Sequence, residues 1–289
     1  MIQLFAPLVT PFQSDESVDE EAFVENISLY EKAPLDGYVI NGSSGEAEML
    51  TQSERVRLVR LAVEHSDRKV IAGVAATSVR ATMEELTLLE GLRLDAVLVR
   101  TPSYFGAQLD QVSYYREVAT QSRFPVIVYQ IPQCTGVRLT GSELGRIAGF
   151  ENVCGVKDSL GDLSLLNEVE WPEDFRYFLG ASALLQPGLA AGACGGILAL
   201  ADVVPELCRT LLELSADPER RQEARELQRR LIPLNRLIGG SKGFGIAGLK
   251  AACELRGYKG GAPRRPLRSL SEAQRIELEK VITRLETGL

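Results

Sequence analysis

The sequence alternates between eight short apolar segments and longer amphipathic ones, and this alternation limits the folds that the chain can adopt. Each apolar segment is too short for a helix and is bounded by glycine, proline or polar residues. Such segments are typical of parallel strands that are buried on both faces. They comprise residues 4–9, 37–41, 70–74, 96–100, 126–130, 153–157, 176–180 and 195–200. Eight strands alternating with helices predict a closed α/β barrel, the (β/α)8 or TIM barrel.

The alternative arrangement of such elements is an open, doubly wound sheet. Folds of that kind usually carry a glycine-rich phosphate loop after the first strand, whereas Thr10, Pro11 and Phe12 stand there in this chain. We therefore expect a barrel that carries the active site in residues 1–204. Residues 205–289 should form the last barrel helix and a C-terminal helical extension. The charged run at residues 219–230 is interpreted as the solvated face of one of these helices.

Composition and charge exclude several classes of function. The 289 residues include 32 Lys and Arg against 39 Asp and Glu, a net charge of −7. Neither nucleic acid nor an anionic membrane is an expected partner of so acidic a chain. The one histidine, His65, excludes a zinc site built on two or three histidines. A Ser-His-Asp triad would need His65 itself, and a surface position is the preferred interpretation of this residue.

Cysteine usage and the lack of targeting signals predict a cytoplasmic protein. The cysteines are odd in number and widely spaced, so we expect reduced thiols, most of them buried, in a reducing compartment. They are Cys134, Cys154, Cys194, Cys208 and Cys253. The first residues lack the basic region of a signal peptide, and no apolar stretch approaches the ~18 residues needed to cross a membrane.

Chemically active side chains are expected where the strands end, because the active sites of TIM barrels lie at the C-terminal ends of their strands. The second strand leads into residues 42–46, Gly-Ser-Ser-Gly-Glu, a tight turn whose N–H and hydroxyl groups suit a carboxylate or a phosphate. The sixth ends in Lys157, after an otherwise apolar run. Burial favours the free amine of a lysine, which can form a Schiff base with a ketone. The alternative, an ion pair with Asp158, is disfavoured because adjacent strand residues point to opposite faces.

Together these segments resemble the dihydrodipicolinate synthase / N-acetylneuraminate lyase family of pyruvate-dependent class I aldolases. The resemblance runs nearly end to end. It includes the opening strand at residues 6–12, the loop at 42–46, Tyr129 with Pro132, and Lys157 at the expected distance along the chain from Tyr129. The resemblance implies a (β/α)8 barrel, no cofactor beyond a covalent imine on Lys157, no metal, and a homotetramer built as a dimer of dimers.

The catalytic roles implied by the resemblance fall on four residues. Lys157 would form the imine with the 2-oxo group of pyruvate or of a longer 2-oxo acid. Tyr129 would shuttle protons during imine formation and C–C cleavage, and Ser44 would relay them. Tyr104 matches the tyrosine that reaches into a neighbouring subunit's site.

The resemblance also implies which residues hold the substrate. Gly42, Ser43 and Ser44 would bind its carboxylate, and the backbone carbonyl of Ile197 would face the pyruvate moiety. Glu46 carries an acid/base group, but a role in bracing the loop is the preferred interpretation.

Departures from the family pattern bear on the substrate. The synthase branch has an arginine two residues after the proline of its tyrosine motif, where this chain has Cys134. A thiol cannot make the bidentate contact of a guanidinium with the carboxylate of the aldehyde partner. Ser159 is expected to contact the substrate beyond C2. Arg100 would either supply positive charge to the site or be paired at the barrel rim. The segments that look most like the 4-hydroxy-2-oxoglutarate aldolase branch are 157–162, 195–201, 244–250 and 257–261.

The sequence thus predicts a class I lyase that acts through Lys157, with pyruvate as product or co-substrate and 4-hydroxy-2-oxoglutarate as the preferred substrate. The alternatives are 4-hydroxy-tetrahydrodipicolinate synthase and a 2-keto-3-deoxy sugar-acid aldolase or dehydratase. A different class, a non-catalytic regulator that binds a 2-oxo acid, is disfavoured because a binder needs no electron sink.

Overall fold

Eight parallel strands form one closed barrel in chain order, as seen in a computed structural model that describes residues 2–239 and 243–287. The structure does not describe residues 1, 240–242 and 288–289, which belong to the ranges 1–204 and 205–289 predicted from the sequence. The strands are β1 Gln3–Ala6, β2 Gly37–Ile40, β3 Lys69–Val74, β4 Ala96–Arg100, β5 Val126–Gln130, β6 Val153–Asp158, β7 Arg176–Leu179 and β8 Gly195–Ile197. The barrel closes where β8 pairs with β1. The predicted fold class is confirmed.

The strand bounds differ most from prediction at the two strands that close the barrel. Strand β1 ends at Ala6 rather than at residue 9, because Pro7 has no N–H to continue the ladder. Strand β8 ends at Ile197 rather than at residue 200, because the chain turns into a 3₁₀ helix at Ala199–Asp202. The fourth and fifth strands have the predicted bounds.

Helices connect the strands and continue beyond β8. They are α1 Glu20–Tyr30, α2 Gln52–His65, α3 Val79–Leu88, α4 Gln111–Gln121, α5 Pro132–Thr135, α6 Gly141–Ala148, α7 Ser164–Glu168, α8 Leu185–Ala190, α9 Pro205–Ala216, α10 Arg221–Ile238, α11 Gly245–Leu255 and α12 Glu272–Thr287. Local sequence determines several helix starts. Asp110 caps α4, and Thr51 forms a capping box with Glu54 at the start of α2.

The alternation of side chains along each strand separates two hydrophobic clusters. One cluster fills the barrel interior and contains Phe5, Val39, Ile71, Ala96, Leu98, Ile127, Tyr129, Ile131, Phe178 and Ile197. The other lies between the strands and the surrounding helices. Because the interior is packed with large side chains, only the ends of the barrel leave room for a substrate.

The helices after β8 pack beside the barrel and reach its C-terminal end. Helix α10 contacts α8, α9, α11 and α12. Its buried residues form one face, and its charged residues from 221 to 230 are exposed, as the sequence predicted. The last turn of α10 and the first turns of α11 line the largest cavity of the barrel mouth.

The cysteines and the histidine are placed partly as expected. All five cysteines are free thiols, but only Cys208 and Cys253 are buried. The expectation that most would be buried is wrong, because Cys134 follows β5 at the open end of the barrel and is exposed, and Cys154 and Cys194 are only half-buried. His65 is exposed at the end of α2. In the part of the chain described here, no helix is long and apolar enough to cross a membrane.

Candidate active site

A cavity of about 760 Å³ opens at the C-terminal ends of the strands. It brings together seven of the residues that the sequence predicted for the site, namely Ser43, Ser44, Tyr129, Cys134, Lys157, Ser159 and Ile197. Gly42 lines a smaller adjoining cavity instead. Tyr104 lines neither of these two cavities. The strand order therefore assembles most of the predicted site within a single chain.

Lys157 lies inside the barrel near the end of β6 and is 4% exposed. The strand register places it level with Tyr129 on one side and Phe178 on the other. Its Nζ lies 4.3 Å from the centroid of the Tyr129 ring. A buried amine beside a phenol, facing an open cavity, is an arrangement that suits imine chemistry.

Asp158 points away from Lys157, as expected for adjacent strand residues. Its carboxylate accepts hydrogen bonds from the Tyr177 hydroxyl and from the Leu160 N–H, the latter at 2.9 Å. Burial raises the pKa of Asp158 above its ordinary value. The carboxylate nearest to Lys157 in sequence is thus occupied elsewhere, and the alternative Lys157–Asp158 ion pair does not form.

Tyr129 and Ser43 face each other across the cavity. Their hydroxyl oxygens are 3.4 Å apart, and either can be the donor. Ser43 lies in a 3₁₀ turn at Ser43–Gly45. A side chain at Gly45 would meet the Leu8 carbonyl oxygen at 2.9 Å, so the turn requires glycine there. The turn holds the Ser43 hydroxyl beside Tyr129 and places Ser44 on the cavity that Lys157 also lines.

Glu46 braces this turn from behind rather than acting in the cavity. Its side chain is 0% exposed and forms an ion pair with Lys250, with Nζ to Oε1 at 2.7 Å. Its other oxygen accepts the backbone N–H of Arg264 at 2.9 Å. Burial lowers the pKa of Lys250, and the nearby Glu46 carboxylate partly opposes that shift. The bracing role inferred from the sequence agrees with this geometry.

Arg100 is paired at the rim and does not line the larger cavity. One of its terminal nitrogens lies 2.8 Å from Glu48 Oε1. Cys134 does line that cavity, and burial raises the pKa of its thiol. No guanidinium therefore comes from position 134 or 100. Sequence reasoning missed the guanidinium that does line this cavity, that of Arg236 on α10, because nothing in the local pattern of α10 shows where its last turn packs.

Tyr104 is 91% exposed and lies next to Phe105, which is 60% exposed. Its backbone adopts a positive φ of 68°, a conformation that is rare for a residue other than glycine and is found at constrained positions. Two exposed aromatic rings in contact suit a surface that is covered by another protein. The expected contact with a neighbouring subunit's site remains a prediction.

Comparison with known proteins agrees with this geometry. The model of the dihydrodipicolinate synthetase family matches residues 1–285. An uncharacterized DapA-like lyase of Halobacterium salinarum is 36% identical over 277 residues, which cover 94% of this chain and 90% of the relative. The 4-hydroxy-tetrahydrodipicolinate synthase of Archaeoglobus fulgidus is 32% identical over 282 residues, 96% of each chain. The crystal structure of dihydrodipicolinate synthase from Aquifex aeolicus superposes with a TM-score of 0.90 at 25% identity, covering 99% of this chain and 98% of that one.

Proposed function

The chain belongs to the dihydrodipicolinate synthetase family, and from that premise we propose that Lys157 is the imine-forming lysine of a 2-oxo acid lyase whose substrate is 4-hydroxy-2-oxoglutarate. The family consists of lyases and synthases that form a Schiff base between a lysine and pyruvate, without a metal. The observation that carries the assignment is the buried Lys157 amine, 4.3 Å from the Tyr129 ring and facing the cavity.

The chemistry follows from this arrangement. The Lys157 amine adds to the 2-oxo carbon, and loss of one water leaves the imine. Tyr129 accepts the proton of the substrate's 4-hydroxyl as it passes its own phenolic proton on through the Ser43 hydroxyl, 3.4 Å away. The C3–C4 bond breaks, glyoxylate leaves, and the bonding electrons move into the protonated imine. The resulting enamine gains a proton at C3, and hydrolysis releases pyruvate and the free lysine. Ser43 and Ser44, which line the cavity, would hold the 1-carboxylate through hydroxyl and N–H groups.

The charges that line the cavity support a substrate with two anionic groups. Among the lining residues that the structure describes, the basic ones are Arg236 and the imine-forming Lys157, and none is acidic. A carboxylate beyond C4 would meet Arg236, with Asn235 beside it. Charge-assisted contacts of this kind favour dicarboxylates over neutral analogues. 4-Hydroxy-2-oxoglutarate fits this requirement.

The synthase reaction is the second candidate, because the relatives from Archaeoglobus fulgidus and Methanopyrus kandleri carry the name 4-hydroxy-tetrahydrodipicolinate synthase. Cys134 in place of the family's arginine argues against it. A 2-keto-3-deoxy sugar-acid aldolase or dehydratase would use the same imine but presents a neutral polyol tail to Arg236. A non-catalytic regulator would not need Tyr129 and Lys157 side by side.

Borohydride trapping tests the imine. Wild-type protein incubated with pyruvate and borohydride should gain one reduced adduct per chain, which peptide mass spectrometry should place on Lys157. Lys157→Ala should gain none and should lose turnover while keeping its far-ultraviolet circular dichroism. An adduct on another lysine would disprove the assignment.

A panel of pyruvate-release assays tests the substrate. We expect 4-hydroxy-2-oxoglutarate to be cleaved with the highest kcat/KM, and Arg236→Ala to raise its KM about tenfold, the loss expected for one solvent-exposed charge-assisted contact. Arg229→Ala, on the exposed side of the same helix, is the matched control and should leave KM unchanged. Equal efficiency toward a neutral sugar acid would contradict the dicarboxylate assignment.

Two further proposals concern the protein as a whole. Residues 205–289 would complete a site that is built on residues 1–204, since α10 and α11 line the cavity. A cytoplasmic homotetramer, with Tyr104 and Phe105 covered by a neighbouring subunit, would account for these two exposed rings. Sedimentation analysis should give a tetramer, and Tyr104→Phe should lower kcat because it removes the hydroxyl that would reach a neighbour's site.

A further inference from the structure

The carboxyl group of Asp202 is buried without a hydrogen-bond partner. Asp202 ends the 3₁₀ helix Ala199–Asp202 that follows β8, and it is 0% exposed. Within the residues that the structure describes, neither of its carboxyl oxygens forms a hydrogen bond. Buried polar atoms are almost always paired, and an isolated ionised carboxylate in an apolar site is very costly. The surroundings of Asp202 therefore decide its charge.

The residues that surround Asp202 belong to the outer hydrophobic cluster between strands and helices. Its 3₁₀ helix contacts β1, α9, α10 and α11. Strand β1 has no titratable side chain, and the buried side chains of α10 are uncharged. The titratable groups that act with Asp202 from α1, α9, α11 and the segment after α11 are phenols and thiols, which are ordinarily neutral. They are Tyr30, Cys208, Cys253 and Tyr258.

Lys157 is the cation that acts on Asp202 within the described chain. Burial raises the pKa of Asp202 well above its ordinary value, and Lys157 opposes this rise without reversing it. Carboxyl groups buried in apolar sites of other proteins have pKa values of about 8–9 and can stay neutral at pH 7. The surroundings of Asp202 thus favour its neutral form.

The backbone of Asp202 holds a segment that forms part of the active-site wall. The Asp202 carbonyl accepts hydrogen bonds from the Tyr30 hydroxyl at 2.6 Å and from the Cys253 thiol at 3.7 Å. Ile197 and Ala199, which precede it on the same segment, line the active-site cavity. A charge on the Asp202 side chain would arise directly beside these hydrogen bonds. Because an unpaired buried charge is strongly destabilising, the segment would shift until water reached the carboxylate.

We propose that Asp202 keeps its proton in the folded enzyme, and that loss of this proton at alkaline pH loosens residues 197–202 so that the cavity binds a 2-oxo acid less tightly. Asp202 is a positioning residue, because it is not among the residues that line the cavity. The coupling is reciprocal, so a bound 2-oxo acid favours the protonated form. This inference rests on the proposed function for the identity of the ligand.

Asp202→Asn tests the charge state, because asparagine has the shape of aspartic acid and stays neutral at every pH. The infrared difference spectrum of wild type minus Asp202→Asn at pH 7 should contain the C=O stretching band of a protonated carboxyl group. Asp202→Leu also removes this group and is the second variant, which keeps the test valid if one of the two does not fold.

Urea unfolding at several pH values tests the same point without substrate. The folded protein would bind the Asp202 proton more tightly than the unfolded chain does, so the wild type should lose stability relative to Asp202→Asn as the pH rises. The ratio of the two unfolding equilibrium constants should grow by up to about tenfold per pH unit above about pH 4, until Asp202 ionises. The matched control is Asp174→Asn, which changes an exposed aspartate and should follow the wild type.

Borohydride trapping of pyruvate measures the coupling to the active site. Between pH 7 and pH 10, the pyruvate concentration for half-maximal trapping should rise at least about fivefold more in the wild type than in Asp202→Asn, as expected for linked sites. Titration of Lys157 and Tyr129 affects both proteins equally, so the ratio between them reports Asp202. Asp174→Asn should again follow the wild type.

Any of three results would overturn the proposal: an infrared difference without the band, a stability ratio that does not change with pH, or parallel pH dependences of trapping. An ionised Asp202 that is held by buried water or by a cation would produce the first two. Wild-type protein that is not trapped at pH 7 counts against the proposed function instead, since the infrared and unfolding measurements need no pyruvate.

Discussion

Replacing Lys250 by methionine should lower the free energy of unfolding by about 3–5 kcal/mol, because it leaves a buried carboxylate without its counter-ion. The lysine Nζ donates to Glu46 Oε1 at 2.7 Å, to the Thr10 carbonyl at 2.7 Å and to the Ala262 carbonyl at 2.9 Å. Neither side chain of the Glu46–Lys250 pair is more than 1% exposed. Methionine has a similar length but donates no hydrogen bond.

The magnitude follows from what remains after the substitution. Glu46 keeps one donor, the N–H of Arg264, so a charged carboxylate stays buried with half of its partners removed. The loss is a large part of the ~5–15 kcal/mol that stabilises a typical domain. Burial lowers the pKa of Lys250 despite the nearby Glu46, so desolvation is not fully offset by the pair. The double variant Glu46→Gln/Lys250→Met should therefore lose less than the sum of the single variants.

Urea unfolding followed by far-ultraviolet circular dichroism measures these differences. Glu84→Gln, in an exposed pair, is the control and should change the free energy of unfolding by no more than ~0.5 kcal/mol. Lys250→Met should also raise KM for the 2-oxo acid, because Glu46 holds the turn that carries Ser43 and Ser44. A Lys250→Met protein as stable as the control would refute the bracing role.

Three further predictions concern the substrate, metals and acid stability. Wild-type condensation of pyruvate with aspartate semialdehyde should have a kcat/KM at least ~100-fold below that of the best lyase substrate, since a lost bidentate contact is worth a few kcal/mol. Cys134→Arg should restore part of this condensation efficiency. Efficient condensation by the wild-type protein would show that another residue makes the contact. EDTA should not lower turnover, because a chain with one histidine and scattered cysteines lacks the usual ligands of a catalytic zinc. A loss of turnover in EDTA that a divalent metal reverses would contradict this. The Arg264 guanidinium lowers the pKa of Glu54 from its ordinary 4.5 to about 2, so Glu54 stabilises the fold above about pH 4.5 and this stability is lost as the pH falls toward 2. Glu54→Gln should therefore flatten the plot of unfolding free energy against pH in that interval. An unchanged plot would exclude the pair as a source of acid sensitivity.

Local sequence patterns were sufficient to predict the barrel and to bring the candidate site residues to one end of it. Parallel strands that are buried on both faces require continuous apolar runs, so the eight runs could be recognised one at a time. The C-terminal ends of such strands meet at one end of the barrel, so Tyr129 and Lys157 could be expected to lie together. Their level register and the 4.3 Å contact agree with that expectation.

Only the tertiary structure decided what surrounds these residues. The brace on the turn at 42–46 comes from Lys250 and Arg264, and Arg236 reaches the cavity mouth from α10. The small cavity beside Tyr129 depends on side chains from several strands and loops. None of these contacts has a sequence signal, because each joins residues that are distant in the chain. Their distances depend on how the last helices pack against the barrel, whereas the apolar runs and the strand ends are properties of neighbouring residues.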